Sequence, residues 1–184
     1  EFEGVLHERY NAMIPRVAKA GNENHIDFSE NRRRLSEEEG LEQAVKALQP
    51  MVALAEEHGV VLQMELFNSI VDHPDYMADS SRWGIELARA LNSPSFKLLY
   101  DIYHMQIMEG NLVANIKENH QWYGHYHVAG VPGRNEPWEA QEINYPAVMA
   151  AIESTGFNGY VALEYLFTTN KKESMARSFT EFIR

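Results

Sequence analysis

No cysteine occurs among the 184 residues, so the chain has no disulfide framework, no zinc ribbon and no thiol nucleophile. A cysteine-free sequence suits an oxidising or a reducing compartment equally. Basic side chains are scarce too: 16 Lys and Arg against 27 Asp and Glu give a formal net charge of −11 and a pI of about 5.2. Wrapping nucleic acid requires clustered Lys and Arg to neutralise phosphates, so this balance argues against a nucleic-acid partner. The one basic run, Arg32-Arg33-Arg34, is short and reads as a solvated loop between a strand and a helix. No apolar run approaches the ~20 residues of a membrane span. The sequence does not begin with Met, and residues 3–20 read as the interior of a helix. A signal peptide would therefore lie outside this sequence, and the compartment is left open: cytoplasmic by default, periplasmic if an export signal preceded it.

What is present is a 45% hydrophobic sequence, enough for one domain with a sizeable core. Helical and extended patterns alternate along it, the signature of a parallel α/β fold. A helix over residues 8–19 ends at Gly21 and a strand over 24–29 follows. Ser36-x-x-Glu39 reads as a capping box opening a helix with Leu41, Ala44, Val45, Leu48, Val52 and Ala55 on one stripe. Pro50 falls within that stripe and predicts a kink; Gly59 ends the helix. Strands are expected over 60–65, 96–101, 123–127 and 160–164. Between them lie a polar loop over 69–79, a helix carrying Trp83, Leu87 and Leu91, and a helix over 112–119. A loop over 131–143 comes next, then a helix capped by Asn144, started by Pro146 and stopped by Gly156, and last a helix over 172–183.

Four of these strands each end on, or near, one chemically active side chain: Glu65, Asp101, His127 and Glu164. In a barrel of parallel strands such ends meet at one mouth. Three carboxylates and one imidazole converging there would bind a divalent metal. Side chains two apart share a strand face, so Gln63, Lys97 and His125 would form a polar layer beneath the four and orient them. The alternative for Lys97 is that it snorkels to the other end of its strand. Five strands cannot close an eight-strand barrel, which takes ~250 residues. The simplest account is one (β/α)8 domain lacking its first three strands. The other is an open five-strand sheet whose edges need cover, from a second copy of the chain for example.

The string Asp101-Ile102-Tyr103-His104-Met105-Gln106-Ile107-Met108-Glu109-Gly110 resembles the hydroxypyruvate isomerase family, within the xylose isomerase-like TIM-barrel superfamily. So do Val131-Pro132-Gly133-Arg134-Asn135-Glu136-Pro137 and Glu142-Ile143-Asn144-Tyr145. Glu65-Leu66-Phe67-Asn68 is similar to that family's Glu-x-x-Asn strand end, and Glu164-Tyr165 to its last strand. The similarity runs over residues 17–182 and would cover the fourth to eighth strands, with the chain as a single, N-terminally incomplete domain. Two positions depart from the pattern. His127 stands where hydroxypyruvate isomerases proper tend to carry Gln and related ketose 3-epimerases carry His, and Gly130 where an acidic residue is common.

The resemblance implies a divalent metal held by Glu65, Asp101, His127 and Glu164, with Mg²⁺ or Mn²⁺ preferred by the oxygen-rich set and Co²⁺ or Zn²⁺ as alternatives. It implies proton transfer next to the carbonyl of a small sugar or keto acid, hydroxypyruvate to tartronate semialdehyde in type, through a cis-enediolate. Glu65 and Glu164 would be the acid/base pair. His104 and Arg134 would hold substrate oxygens, unless His104 merely packs under the loop and Arg134 pairs with Glu136. The loop over 131–143 has the length and composition of a lid, and Trp138 would either shield the site or be a surface aromatic. A ketose 3-epimerase, a barrel relative of apurinic endonucleases and a non-catalytic degenerate barrel acting as a binding module are the rival readings. The acidic charge disfavours the second, and the intact carboxylate set disfavours the third.

Overall fold

The alternation predicted above forms one parallel sheet. A computed structural model describes residues 2–138 and 140–182. Strands β1 (Asn24–Phe28), β2 (Val61–Glu65), β3 (Phe96–Asp101), β4 (Tyr123–Val128) and β5 (Tyr160–Leu163) lie side by side in chain order, every pair parallel. A doubly wound sheet reverses its strand order at a switch point. Here the order runs one way without reversal, and right-handed crossovers of that kind place every connecting helix on one face. The result is a half-barrel, part of the (β/α)8 TIM-barrel architecture.

The helices are α1 (Phe2–Lys19), α2 (Glu37–His58), α3 (Ser81–Leu91), α4 (Ile102–Met108), α5 (Leu112–Asn119), α6 (Tyr145–Ser154) and α7 (Lys171–Phe182). The capping box of α2 forms as read, with Glu39 N–H donating to Ser36 Oγ and Ser36 N–H to Glu39. Gly59 closes the helix in the left-handed region at φ 65°. The helix runs unbroken through Pro50. Asn144 caps α6, with Pro146 in its first turn. Helix α4 is absent from the sequence reading and starts directly at Asp101, whose side chain ends β3 and caps the new helix at His104 N–H. The end of the last helix at Ile183 lies outside the described residues.

Leu62, Met64, Leu98, Tyr100, Tyr126 and Val128 point away from the barrel axis and are buried under Met51, Trp83, Leu87, Ile116 and Val148. The opposite face carries Gln63, Glu65, Leu99, Asp101 and His127. Between Leu98 and Leu99 the β3–β4 register shifts, leaving Gly124 as an extra residue. That bulge puts His125 opposite Leu99 and His127 opposite Asp101, so the site residues share one face. At Gly124 a Cβ would sit 2.8 Å from Lys97 Cβ, which the strand backbone fixes, so only glycine fits. On the end strands the inward apolar side chains are open, with Phe28 52% and Tyr160 72% exposed.

The expected polar layer does not orient the site. Lys97 Nζ reaches back to Gln121 O at 2.7 Å, the snorkelling alternative. Gln63 Nε2 donates to Asn24 Oδ1 at 2.7 Å. Only His125 touches a site residue, its ring edge-on to His127 at 5.0 Å. Lys97 thus reaches the exposed far end of the strands, whereas Gln63 stays buried, its amide nitrogen paired with Asn24 and its Oε1 without a hydrogen-bond partner among the described residues.

Candidate active site

Glu65 and Asp101 are the last residues of β2 and β3, His127 lies one residue before the end of β4, and Glu164 follows β5 directly. Each of the four offers a donor atom within 4.8 Å of the others. His127 Nδ1 is 2.9 Å from Glu65 Oε1, 2.8 Å from Glu164 Oε2 and 3.8 Å from Asp101 Oδ2. Arg134 Nη2 donates to Asp101 Oδ2 at 2.8 Å and also to Glu164. Glu65, Asp101 and His127 are buried; Glu164 is half exposed at the rim.

Burial favours a neutral His127, but the carboxylates of Glu164 and Glu65 outweigh it and hold the imidazole at about 9. Glu164 is held at about 2 by the His127 hydrogen bond, with burial opposing and Arg134 assisting. Burial pushes Asp101 up while Arg134 pulls it down. Three carboxylates around one imidazole and one guanidinium leave a buried excess of negative charge unless the imidazole stays protonated. With a neutral His127, a dication would balance three carboxylates and Arg134. The donor set of Glu65, Asp101, His127 and Glu164 therefore fits a divalent metal, which these four residues would hold.

His104 stands in the first turn of α4, fully buried, with one ring nitrogen on Asn68 and the other facing Arg134. Burial, then the Arg134 charge, pushes its imidazole down to about 2, so it stays neutral. Arg134 reaches the site from the loop after β4, at a positive φ of 55°. It does not pair with Glu136. The Glu136 carboxylate instead accepts from Thr168 N at 3.0 Å, Thr168 Oγ1 at 2.8 Å and Ser174 Oγ at 3.2 Å. These bonds, with Leu166 N–H donating to Arg134 O at 2.7 Å, tie the Arg134 loop to the chain just beyond Glu164. Gly130 belongs to the same clamp: its N–H donates to Asn135 O, and a Cβ would meet Glu136 O at 2.6 Å. An acidic residue there requires a more distant loop. Trp138 takes no part in the site and packs against Tyr165 at 5.6 Å and under Arg177 at 5.4 Å.

Burial raises the Glu136 carboxyl, but the Thr168 and Ser174 hydrogen bonds win and hold it at about 2. Its folded value lies below the unfolded one of ~4.3, so its stabilisation is present above that pH and fades as pH falls toward 2. Glu136→Gln leaves donors unmatched and is expected to cost about 1–3 kcal/mol at neutral pH. Thermal melts of the two proteins should converge as the pH is lowered through that window; a constant gap would remove the ionised carboxylate from the account.

Sequence reasoning missed one wall of the site. Phe67 stacks on His73 at 4.1 Å and on Phe28 at 5.4 Å. With Asp72, these rings line a cleft of about 340 Å³ that ends on Glu65, His104, Arg134 and Glu164. Residues 69–79 read only as a polar loop, and no spacing within them marks His73 as facing the cleft.

The family model described as the xylose isomerase-like TIM barrel matches residues 7–184. The hydroxypyruvate isomerase of Escherichia coli (strain K12) is 35% identical over 106 residues, 58% of this chain and 40% of that protein. The 2-oxo-tetronate isomerase of Pectobacterium atrosepticum is 34% identical over 108 residues, 59% of this chain and 40% of that protein. The chain thus spans less than half the length of these curated relatives. Among solved structures, an AP endonuclease, family 2 from Brucella melitensis superposes with a TM-score of 0.90 at 23% identity, covering 97% of this chain and 69% of that one. At that identity the likeness carries the fold alone. In the described residues, no helix is long and apolar enough to cross a membrane.

Proposed function

Because the chain belongs to the xylose isomerase-like TIM-barrel family, we propose that it forms the metal-binding part of an isomerase acting on a small α-hydroxycarbonyl sugar or keto acid. The observation that carries this reading is the convergence of Glu65, Asp101, His127 and Glu164 beneath the paired donors His104 and Arg134. Three further strands beyond β1 and β5 would complete the barrel, and their inner surface would supply the other wall of the cleft.

A bound divalent metal would act as a Lewis acid on the substrate's carbonyl and hydroxyl oxygens, acidifying the adjacent C–H. Mg²⁺ or Mn²⁺ suits the oxygen-rich set. One of Glu65 and Glu164 takes the carbon-bound proton, leaving its electron pair in an enediolate. His104 and Arg134 donate to the oxygens on which that charge collects. Proton delivery to the neighbouring carbon, with the hydroxyl proton passing from one oxygen to the other, completes the isomerisation. Delivery to the opposite face of the same carbon would make the enzyme an epimerase, the second reading favoured by the imidazole at His127.

The test combines Mn²⁺ titration with product analysis after incubation with hydroxypyruvate and with ketoses. Stoichiometric binding with tartronate semialdehyde as product supports the isomerase, and a ketose inverted at one carbon supports the epimerase. Absence of binding would favour the degenerate-barrel reading. Metal binding should also depend on pH with a definite sign. The metal competes with the proton on His127, which is held to about 9. Affinity is expected to rise by about tenfold per pH unit from neutrality and to level off above 9. Calorimetric titrations across that range would show it, and a flat profile would mean that His127 does not ligate.

A further inference from the structure

Asn68 follows β2 in the turn beside His104 and is fully buried. Its amide orientation is decided by its neighbours. Oδ1 accepts from Val71 N and Asp72 N, both at 2.9 Å, and Nδ2 donates to Asp72 Oδ2 at 2.6 Å. Tyr103 Oη donates to the same Asp72 oxygen at 2.8 Å and helps to hold it. The second Nδ2 hydrogen then points at His104 Nδ1, 2.7 Å away, and the Asn68 backbone N–H points at the same atom from 3.1 Å. Two fixed donors leave Nδ1 only the role of acceptor. Nε2 in turn meets Arg134 Nη1, which also can only donate, so the one ring hydrogen must face a donor at either end. The backbone N–H and the pinned amide at Nδ1 are fixed, whereas the guanidinium rides on a long rotatable side chain, and the hydrogen therefore sits on Nε2. Two N–H donors thus converge on one point, and the nearest carboxylate oxygen, Asp101 Oδ2, is 3.8 Å from Nε2. The two nitrogens are in direct contact, so a substrate oxygen would part them and then accept from both.

We propose that Asn68 is a positioning residue that fixes His104 as the neutral Nε2–H tautomer, so that His104 serves only as a hydrogen-bond donor to an anionic substrate oxygen and never as a proton acceptor. The role toward substrate rests on the isomerase reading; the tautomer does not. A neutral donor paired with Arg134 stabilises charge on the enediolate oxygen without giving up a proton that would trap it.

The test is a two-bond proton–nitrogen correlation spectrum of the chain labelled with nitrogen-15 histidine, recorded without metal or substrate. The signals lost in His104→Gln identify His104. The expected pattern is a protonated Nε2 and a bare Nδ1. In Asn68→Asp the carboxylate still accepts from Val71 and Asp72 but cannot donate, and Nδ1 is expected to gain a proton. A wild-type His104 protonated on Nδ1 overturns the proposal, and an unchanged His104 pattern in Asn68→Asp overturns the role given to the Asn68 side chain. The wild-type spectrum decides the tautomer even if Asn68→Asp fails to fold. A chain that isomerises nothing leaves this spectrum unaltered, so the two readings fail separately.

Discussion

Replacing Glu65 and Glu164 together by glutamine is expected to abolish metal binding and proton transfer while leaving the fold intact. Glutamine keeps the volume and one acceptor oxygen, but it carries no charge and takes no proton. The pair supplies two of the three carboxylates whose donor atoms lie within 4.8 Å of one another and of His127. Loss of hydrogen-bond partners behind a metal ligand costs about 10–100-fold in affinity, and loss of the ligands themselves costs more. Loss of a general base costs on the order of 10²–10⁴-fold in rate. The metal-free double variant should melt near the parent, because both the repulsion among the carboxylates and their attraction to His127 are relieved. Mn²⁺ titration and isomerisation assays on both proteins check this. Tight Mn²⁺ binding by the double variant would show that the ligand set is wrong. Binding lost with no activity in the parent would give the lead to the binding-module reading.

The part of this site readable in sequence is the part carried by strand ends. Glu65, Asp101, His127 and Glu164 each close an apolar run, and parallel strands bring such ends together. The capping box at Ser36 and Glu39 was equally legible because its two bonds are local. What stayed hidden depends on contacts distant in sequence. Helix α4 is seven residues long, too short for a periodic stripe, and begins on the residue that ends β3. The Glu136 clamp joins residues 32 to 38 positions apart. The alternative reading, a pairing of Arg134 with Glu136, is excluded only by such distant contacts. Neighbours in sequence there point opposite ways, one into the cleft and the other toward Thr168. Gln63 and Lys97 were placed on the correct face but not at the correct end, since strand alternation fixes a side and not the direction in which a long side chain leans.

Arg134→Met is expected to make stability depend on pH in a way that metal reverses. Asp101 is 1% exposed, and its charge partner is Arg134 Nη2 at 2.8 Å. Removing one partner of a buried pair costs about 3–5 kcal/mol if the other remains ionised. Asp101 can instead keep a proton, because burial already pushes its carboxyl up and the variant removes the guanidinium that pulls it down. Its folded value then rises further above the unfolded value of ~3.9. The folded state holds a proton that the unfolded state has released, so stability is little affected near that unfolded value and falls as pH climbs toward the folded one. A divalent metal supplies the missing positive charge and should restore the melting temperature above neutrality. Arg134→Lys retains the charge without the planar fork and should show a smaller pH dependence. Both variants should lose kcat on the order of 10²–10³-fold, since neither presents the Nη1–H that meets His104. Melts from acid to mildly alkaline pH, with and without Mn²⁺, separate the two effects. A pH-independent loss in Arg134→Met would mean that Arg134 acts through packing on Tyr103, whose ring lies 5.0 Å from the guanidinium, and not through the Asp101 charge.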